Sequence, residues 1–388
     1  MARKAVDAPL WRILIFSLLS LYLSTGLRMP RAAHPDGIWT LEAARHSYVQ
    51  LLTYILGNDS HPPLYYLAIK VWSSIAGDGI SSGRVLSYLF GLLTLLLFSL
   101  FHFRSRPITF VAPLLLIATN PLFTYFSVTI RPYAFVVFLA SAALLSSMAL
   151  RSEDAEKREL QSVPRLHQDR RALQILFYGA CLLLGLTHYY GLLYAMTLLV
   201  WDFFERRISF SRLPTIIVAA LLVVWPLLQI FFGTLDKQLE SNDWVNVVPV
   251  FSTLNNFLMG LFPAVVVSRQ LPYVYSLGLL LCLGSILLPS KLKSQSFTWG
   301  AIRSFLVSDV GYLLFGLLVL LAFSIAADVT VPFSTPYYFI VGLPATALLF
   351  GYWVRWMRQQ LNLLPACLFT ATIVITQIML TKQRLMLP

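Results

Sequence analysis

The feature that most constrains this chain is its series of long apolar runs, which recur throughout the sequence. Hydrophobic residues make up 58% of the 388 residues and charged residues 12%, whereas a soluble domain carries about 25% charged residues. Inside a bilayer each backbone polar group must be satisfied within the protein, and a helix of about 20 apolar residues does this. A transmembrane barrel would instead show short strands of alternating hydrophobicity. The sequence therefore predicts an all-α, polytopic transmembrane helical bundle, a single integral membrane domain over residues 1–388.

We predict about eleven spans, each close to the length that crosses the hydrocarbon core. The first run follows Arg3 and Lys4 and has no small-residue cleavage site, so we interpret it as a retained helix rather than a signal peptide. A cytoplasmic N-terminus places most of the Lys and Arg residues in cytoplasmic segments, as the positive-inside rule requires. The predicted spans are 11–28, 84–103, 107–123, 133–150, 173–187, 189–204, 213–233, 272–289, 309–327, 337–354 and 363–381.

Several classes of function are disfavoured by the sequence. The formal charge of +12 is not organised into a basic stripe with interleaved aromatic residues, so we expect no nucleic-acid partner. The three cysteines lie in separate apolar runs and are typical of packing residues. The sequence shows no phosphate-cradling glycine loop, nucleophile elbow or metal-ligand cluster, so we expect no cofactor. A divalent metal held by Asp36, Glu42 and Asp59 is compatible with the sequence but not required by it.

Two segments between spans differ from the rest in composition. Residues 151–172 mix both charge signs without aromatic residues, which favours a solvated cytoplasmic connector that is partly helical. Residues 29–83 form a long first outer loop whose second half repeats apolar residues at the spacing of one helical face: Leu64, Leu67, Ala68, Val71, Trp72 and Ile75. Pro62 and Pro63 suit the first turn of that helix, with Asp59 or Ser60 as its cap. Because this amphipathic helix is too short to span, we expect it to lie in the interface and hold polar groups at the membrane surface.

Five blocks carry a resemblance to a known family. They are "GIWTLEAARHS", "DSHPPLYYLAIKVW", "GRVLSYLFGLLTLLLFSL", "NPLFTYFSVTIRPYAF" and "LTHYYGLLYAMTLLVW". In order and spacing they resemble the polytopic GT-C glycosyltransferases, in particular the dolichyl-phosphate-mannose protein mannosyltransferase-like group that includes the aminoarabinose transferase of lipid A. The likeness runs from about residue 11 to 204, with a fainter "STPYYFIVGLP" near residue 340. It favours a bacterial-type plasma membrane, with the active loop on the outer face.

The resemblance implies an inverting transfer of a sugar from a polyprenyl phosphate to a hydroxyl on a protein, lipid or glycan. In such a reaction a carboxylate takes the proton of the acceptor, and a cation stabilises the phosphate as it leaves. The resemblance implies catalytic carboxylates at Glu42, Asp36 and Asp59. The implied substrate-binding residues are His61, Tyr65, Arg131, Tyr133, His188 and Tyr189.

Structural readings of the same residues stay open at this point. Glu42 could pair with Arg45 or His46 on a helix face, Asp36 could serve a turn, and Asp59 could cap the amphipathic helix. An arginine in the membrane zone needs an anionic partner, so Arg131 is expected to meet a donor phosphate, a loop carboxylate or a lipid headgroup. Tyrosines at helix ends often anchor the interface, which is the alternative for Tyr133, Tyr189 and Tyr190, and for His188 beside them.

Two departures from the family's pattern separate the functional hypotheses. Leu41 stands where relatives commonly carry the aspartate that serves as base, and Tyr337 stands where they often carry an arginine. The leading hypothesis is a polyprenyl-phosphate-dependent glycosyltransferase. The alternative is a catalytically silent structural or lipid-binding subunit of a membrane complex. A transporter is less favoured because no inverted repeat is evident and the ionisable groups lie towards the outer edge.

Overall fold

The structure is a computed structural model. It describes residues 22, 35–59, 61–102, 108–159, 170–205, 212–232, 250–261, 308–330, 334–361, 370, 371 and 373. Throughout these residues the regular secondary structure is helical, which confirms the predicted all-α class. The elements are α1 (Pro35–Arg45), α2 (Tyr48–Asn58), α3 (Leu64–Ala76), α4 (Ile80–His102), α5 (Ile108–Thr119), α6 (Pro121–Ser127), α7 (Tyr133–Glu159), α8 (Arg170–Gly185), α9 (Tyr189–Glu205), α10 (Leu213–Phe231), α11 (Val250–Leu261), α12 (Asp309–Thr330), a 3-10 helix (Pro336–Gly342) and α13 (Leu343–Leu361).

Five helical segments among the described residues are long and apolar enough to cross a membrane: Ile80–Leu100, Tyr133–Arg151, Leu213–Phe231, Asp309–Val329 and Pro336–Gln359. Each coincides with a predicted span. The predicted total of about eleven stays a prediction, since the span at 272–289 lies outside the described residues and those at 11–28 and 363–381 lie almost entirely outside them.

The span predicted at 107–123 is wrong in one respect, because the helix is interrupted at Asn120. The side chain of Asn120 accepts a hydrogen bond from the backbone N–H of Phe123, and Pro121 occupies the first turn of the new helix α6. Both features are start signals for a helix. The segment is therefore divided between α5 and α6, and α6 brings residues 128–132 to the start of α7.

Helix α7 lies at the centre of the bundle, with its most extensive packing against α4 and α8. Its serines do not leave unsatisfied hydroxyl groups in this apolar core. Ser141 donates to the carbonyl of Val137 over 2.6 Å, and Ser146 donates to the carbonyl of Ala142 over 2.6 Å. Such bonds to the preceding turn satisfy a polar side chain inside a buried helix.

An ion-pair network joins α7, α9 and α12 about 27 Å along α7 from its first residue, at 1.5 Å per residue. Nη1 of Arg151 lies 2.6 Å from Oε2 of Glu205, and its Nε lies 3.4 Å from Oδ1 of Asp309. The guanidinium also stacks on the ring of Tyr312, 4.4 Å from its centroid. This network holds the helices together at one end of the bundle. The connections at the other end therefore extend from helices whose packing is fixed.

The first predicted loop forms a platform of three short helices. Helix α2 begins with a complete capping box, in which Ser47 and Gln50 satisfy each other's backbone groups. Lys70 of α3 donates hydrogen bonds to the carbonyl oxygens of Ala44 and His46 at the end of α1. A cation at a helix C-terminus is favourable because the last carbonyls carry a partial negative charge. The platform is therefore held by specific contacts between α1 and α3.

One expectation about α3, that Asp59 caps it, is corrected. Its N-cap is Pro63, which makes no side-chain cap, and the first helical N–H, that of Leu64, donates to the carbonyl of Leu186 over 3.0 Å. The carboxylate of Asp59 is engaged elsewhere and does not cap this helix. The face of α3 that is buried against the protein carries Tyr65, Tyr66 and Ile69, whereas Val71 and Ile75 of the predicted apolar face are exposed. The other four residues of that face are half-buried and pack against the core, so exposed apolar surface, which suits a helix lying on a membrane, is confined to the second half of α3: Leu64, Leu67, Ala68 and Trp72.

Candidate active site

Four connections meet at the end of the bundle away from Arg151. They are the segment before α3, the turn between α6 and α7, the turn between α8 and α9, and the 3-10 helix before α13. They bring together side chains from distant parts of the sequence: Asp36, Asp59, His61, Arg131 and His188, surrounded by tyrosines. We call these five residues the polar cluster. Loops on a rigid scaffold are where binding and catalytic groups commonly lie.

Asp59 and His61 form a close pair within the polar cluster. Oδ1 of Asp59 accepts hydrogen bonds from the backbone N–H of His61 over 3.1 Å and from its Nδ1 over 2.8 Å. Oδ2 of Asp59 accepts a hydrogen bond from the Tyr66 hydroxyl. Burial by itself raises the pKa of Asp59, but the charge and hydrogen bonds of His61 and the Tyr66 bond lower the pKa to about 2. Asp59 is therefore an ionised carboxylate that orients the imidazole of His61.

The segment that carries this pair is fastened to two other helices. Nε2 of Gln229 in α10 donates a hydrogen bond to the backbone oxygen of Asp59 over 2.7 Å. Oε1 of Gln229 accepts a hydrogen bond from the Tyr189 hydroxyl of α9. Together with the bond from Leu64 N to Leu186 O, these contacts fix the backbone on both sides of His61. Tyr189, a candidate for substrate binding, thus contacts the cluster through Gln229.

Arg131 and Asp36 form the second charged pair of the polar cluster. Nη1 of Arg131 lies 2.6 Å from Oδ2 of Asp36, and its guanidinium lies over the Tyr133 ring, 5.6 Å from the centroid. The Arg131 side chain is 17% exposed and that of Asp36 is 46% exposed. Of the three anionic partners expected for Arg131, the structure therefore shows a loop carboxylate. The Asp36 side of the pair remains open to solvent and to incoming groups.

His188 is the most buried member of the polar cluster. Its Nδ1 accepts a hydrogen bond from the backbone N–H of Tyr190 over 3.1 Å, so the proton of the neutral ring is on Nε2. That Nε2 is buried and has no hydrogen-bond partner among the described residues. Burial first, and then the positive charges of His61 and Arg131, lower the pKa of His188 well below its usual range. His188 is therefore a neutral ring with an unused donor, and an unused buried donor is costly unless a ligand fills it.

Aromatic rings line the space around His188. The ring of His188 lies 5.3 Å from that of His61, 5.5 Å from that of Tyr133 and 5.2 Å from that of Tyr338. Tyr337 in turn contacts Tyr133, with ring centroids 5.3 Å apart. The result is an aromatic wall joined to two charged pairs, a composition typical of sites that bind a ligand with both apolar and polar surface.

The remaining predicted residues lie at the margins of the cluster. Tyr65 is buried and its hydroxyl is hydrogen-bonded with Ser87 over 3.1 Å. Glu42 is exposed on α1 and makes no hydrogen bond or ion pair with the described residues. Its alternative partner Arg45 instead pairs with Asp78 over 3.2 Å. Of the two α1 carboxylates, Asp36 and not Glu42 belongs to the polar cluster.

Three residues that position the cluster were not predicted from the sequence. Gln229 had a readable signal, a lone amide inside the apolar run "WPLLQIFF", because a polar side chain in a span is usually satisfied by a specific partner. Tyr66 and Tyr338 had none, since tyrosine is common near membrane interfaces for reasons unrelated to a site.

The two departures from the family's pattern have structural consequences. Leu41 is buried, 6% exposed, in the main core cluster. Tyr337 contributes its ring to the aromatic wall through Phe126 and Tyr133. Apolar and aromatic packing thus occupies the two positions where relatives carry charge. Within the described residues, no group of three or more His, Cys, Asp and Glu side chains is arranged to hold a metal ion.

Comparison with known proteins places the fold. No family model and no curated protein matches the chain. Among solved structures it is similar to ArnT from Cupriavidus metallidurans in the apo state, with a TM-score of 0.51, 14% identity and coverage of 90% of this chain and 60% of that one. The same protein bound to undecaprenyl phosphate matches with a TM-score of 0.52, 14% identity and coverage of 89% and 60%.

A second similar structure is the archaeal oligosaccharyltransferase AglB from Archaeoglobus fulgidus, in complex with an inhibitory peptide and a dolichol-phosphate. It matches with a TM-score of 0.51, 13% identity and coverage of 98% of this chain and 56% of that one. The chain thus spans about 60% of the ArnT chain and 56% of the AglB chain. Together with the five apolar helices, these similarities make the protein an integral membrane protein. Its fold is GT-C-like, as is the fold of ArnT and AglB.

Proposed function

We propose that this protein is a membrane glycosyltransferase that moves a sugar from a polyprenyl phosphate to a hydroxyl acceptor, with inversion at the anomeric carbon. The observation that carries the proposal is the convergence of two charged pairs, Asp36–Arg131 and Asp59–His61, on a buried aromatic wall. The GT-C-like fold supports it, because one solved neighbour is bound to undecaprenyl phosphate and another to a dolichol-phosphate.

The residues of the polar cluster suit the parts of such a reaction. Arg131 carries the positive charge that a departing phosphate requires, and it can exchange its contact with the half-exposed Asp36 for the phosphate oxygens. Tyr338, which is half-buried, can offer its ring to the sugar, and Nε2 of His188 offers a donor to one of the sugar's oxygens. The family resemblance implies an acidic proton acceptor, and Asp59, hydrogen-bonded to His61, and Asp36 are the carboxylates in the cluster.

The proposed location follows from the lipid part of the donor. A polyprenyl chain stays in the bilayer, so the reacting phosphate must meet the protein at the interface. Helix α3, which exposes Val71 and Ile75 in its second half, directly follows the segment that carries Asp59 and His61. We place this end of the bundle at the outer face of a bacterial-type plasma membrane, with the N-terminus in the cytoplasm. The acceptor is a hydroxyl of a protein, lipid or glycan.

The test is a transfer assay with purified protein in nanodiscs. The donors are undecaprenyl-phosphate aminoarabinose and dolichyl-phosphate mannose, and the acceptor is a membrane extract of the source cells. We expect release of the polyprenyl phosphate together with glycosylated product, measured by mass spectrometry. Arg131→Gln should lower transfer at least tenfold, whereas Arg45→Gln, in an exposed pair outside the cluster, should leave it within twofold.

A companion comparison concerns the two carboxylates of α1. Asp36→Asn removes the partner of Arg131 and should change transfer several-fold, whereas Glu42→Gln, exposed and outside the cluster, should not. Equal activity of Arg131→Gln and the wild-type protein would contradict the proposed use of Arg131.

A second candidate function is a catalytically silent subunit that binds a lipid phosphate within a membrane complex. It is favoured by Leu41, which is buried where relatives carry the catalytic aspartate, and by the neutralisation of Arg131 by Asp36. This candidate predicts stoichiometric partners on purification and binding of undecaprenyl phosphate, detected by native mass spectrometry, without sugar transfer from any donor.

A further inference from the structure

We propose that the group that takes the acceptor's proton is the imidazole of His61, and that Asp59 is a positioning residue that acts through it. This inference rests on the proposed function and specifies which atom of the site performs the proton transfer. It replaces a direct carboxylate base by an acid–imidazole pair, in which the carboxylate holds the ring and the ring does the chemistry.

The carboxylate of Asp59 is already engaged on both oxygens. Oδ1 accepts two hydrogen bonds from His61 and Oδ2 accepts one from Tyr66, and the Asp59 side chain is only 12% exposed. To take a proton directly, this oxygen would first have to lose one of those bonds.

Neither carboxylate of α1 is better placed for proton transfer. Asp36 lies 2.6 Å from the Arg131 guanidinium, so it would have to break this ion pair before it could take a proton on the same oxygen. Glu42 is exposed on α1 without a contact to the cluster in the described part of the chain. The position before it, Leu41, is buried and apolar. Neither Asp36 nor Glu42 of α1 is therefore placed to act as the general base.

His61 has the geometry that a general base requires. Its Nδ1 donates to the ionised Asp59, which fixes the tautomer and leaves the lone pair of Nε2 free to accept a proton. Nε2 makes no hydrogen bond with any described residue, and the His61 side chain is 20% exposed, so it is reachable from outside. The backbone around it is clamped by Gln229 and by the bond from Leu64 to Leu186. The ring is thus oriented before any substrate arrives.

The groups that face His61 are compatible with its taking up a proton and releasing it again. The ring of His188 lies 5.3 Å away and is neutral, so it does not oppose a proton on His61. Asp59 supplies the opposite charge at 2.8 Å, and the Tyr66 hydroxyl is hydrogen-bonded to the same carboxylate. Arg131, whose positive charge also reaches this region, is balanced by Asp36. An imidazolium formed at His61 is therefore stabilised by a carboxylate that does not itself take the proton.

The step balances as a single displacement. The hydroxyl oxygen of the acceptor forms a bond to the anomeric carbon as the bond from that carbon to the phosphate oxygen breaks. The proton of the hydroxyl moves to Nε2 of His61, and the electron pair of the broken bond leaves with the polyprenyl phosphate. His61 then returns the proton to the released phosphate or to water, and the site is restored.

The experiment uses the transfer assay of the full-length protein and adds two variants. His61→Ala should lower kcat by a factor of about 10²–10⁴, the usual contribution of a general base. Added imidazole should raise the kcat of this variant at least tenfold. Asp59→Asn should lower kcat at least tenfold and leave KM for the donor within twofold, because the ring loses the carboxylate that holds its Nδ1. Asp59→Glu, which keeps a carboxylate, should recover part of that kcat. His46→Ala is the matched control, since His46 packs on Tyr54 outside the cluster, and it should stay within twofold.

The outcomes distinguish the assignment of His61 from the proposed function on which it rests. A wild-type protein that transfers no sugar from either donor would remove the proposed function, and the assignment of His61 would fall with it. Transfer by the wild type together with a His61→Ala variant within threefold of it would overturn the assignment alone. The same holds if Asp59→Asn leaves kcat within threefold of the wild type. Binding of undecaprenyl phosphate to each variant, measured by native mass spectrometry, verifies that the variants are folded.

Discussion

The side-chain amide of Gln229 donates a hydrogen bond to the backbone oxygen of Asp59 over 2.7 Å, which ties the last turn of α10 to the segment that carries His61. Gln229 is fully buried and uses its other amide atom to accept from Tyr189. A single polar side chain in an apolar helix thereby connects three elements.

Replacing this amide should therefore be costly. We expect Gln229→Leu to lower the free energy of unfolding by about 1–3 kcal/mol, because two buried polar groups lose their partner. Thermal unfolding in detergent measures the change. Gln50→Leu, an exposed glutamine in the capping box of α2, is the control and should cost less than half as much. Equal effects of the two substitutions would show that the clamp does not stabilise the protein.

Asp59 should make stability depend on pH in the acid range. Its pKa in the folded protein is about 2, below the ordinary 3.8, so the folded state favours the ionised form. The stabilisation is complete above about pH 4 and is lost as the pH falls towards 2, with an amplitude of about 2 kcal/mol. Unfolding midpoints of the wild type and Asp59→Asn at pH 6, 3 and 2 should converge at the lowest pH. A constant difference across this range would contradict the lowered pKa.

Gly260 permits a close approach between α11 and the 3-10 helix that carries Tyr337 and Tyr338. A Cβ at Gly260 would collide with the backbone oxygen of Pro336, and backbone cannot swing aside as a flexible side chain does. Gly260→Ala should therefore lower the unfolding midpoint and displace the aromatic wall, lowering any transfer activity with it. Gly179→Ala is the matched control, because a Cβ there meets nothing within 4 Å. In the control, alanine should be neutral or should stabilise α8 by up to about 1 kcal/mol.

The Arg151–Glu205 pair should behave as a coupled unit. Arg151→Met leaves the half-buried Glu205 without its cation and should cost about 3 kcal/mol of unfolding free energy. The double variant Arg151→Met, Glu205→Gln should cost less than the sum of the single changes by at least about 1 kcal/mol. Additive costs in a double-mutant cycle would mean that the two side chains contribute independently.

The sequence alone determined the helical class and the positions of the five apolar helices, because the need to satisfy the backbone in lipid leaves one solution for a long apolar run. Through the resemblance of five sequence blocks to a known family, it also pointed to Asp36, Asp59, His61, Arg131, Tyr133 and His188 as candidate site residues. The sequence did not predict the helix interruption at Asn120, because a local capping hydrogen bond overrides a continuous apolar pattern there. Nor could it tell which face of α3 is buried, because an apolar face suits lipid and protein equally.

Tertiary structure decided the pairings. Whether Asp36 or Glu42 meets Arg131 depends on how α1 is rotated against the turn before α7, and no spacing in the sequence encodes that rotation. Whether Asp59 caps a helix or holds an imidazole depends on Tyr66 and Gln229, which reach it through the packing of α3 and α10. Hydrophobicity along a chain selects the segments that enter the membrane, but the contacts between their ends follow from side-chain packing in three dimensions, which a linear pattern does not contain.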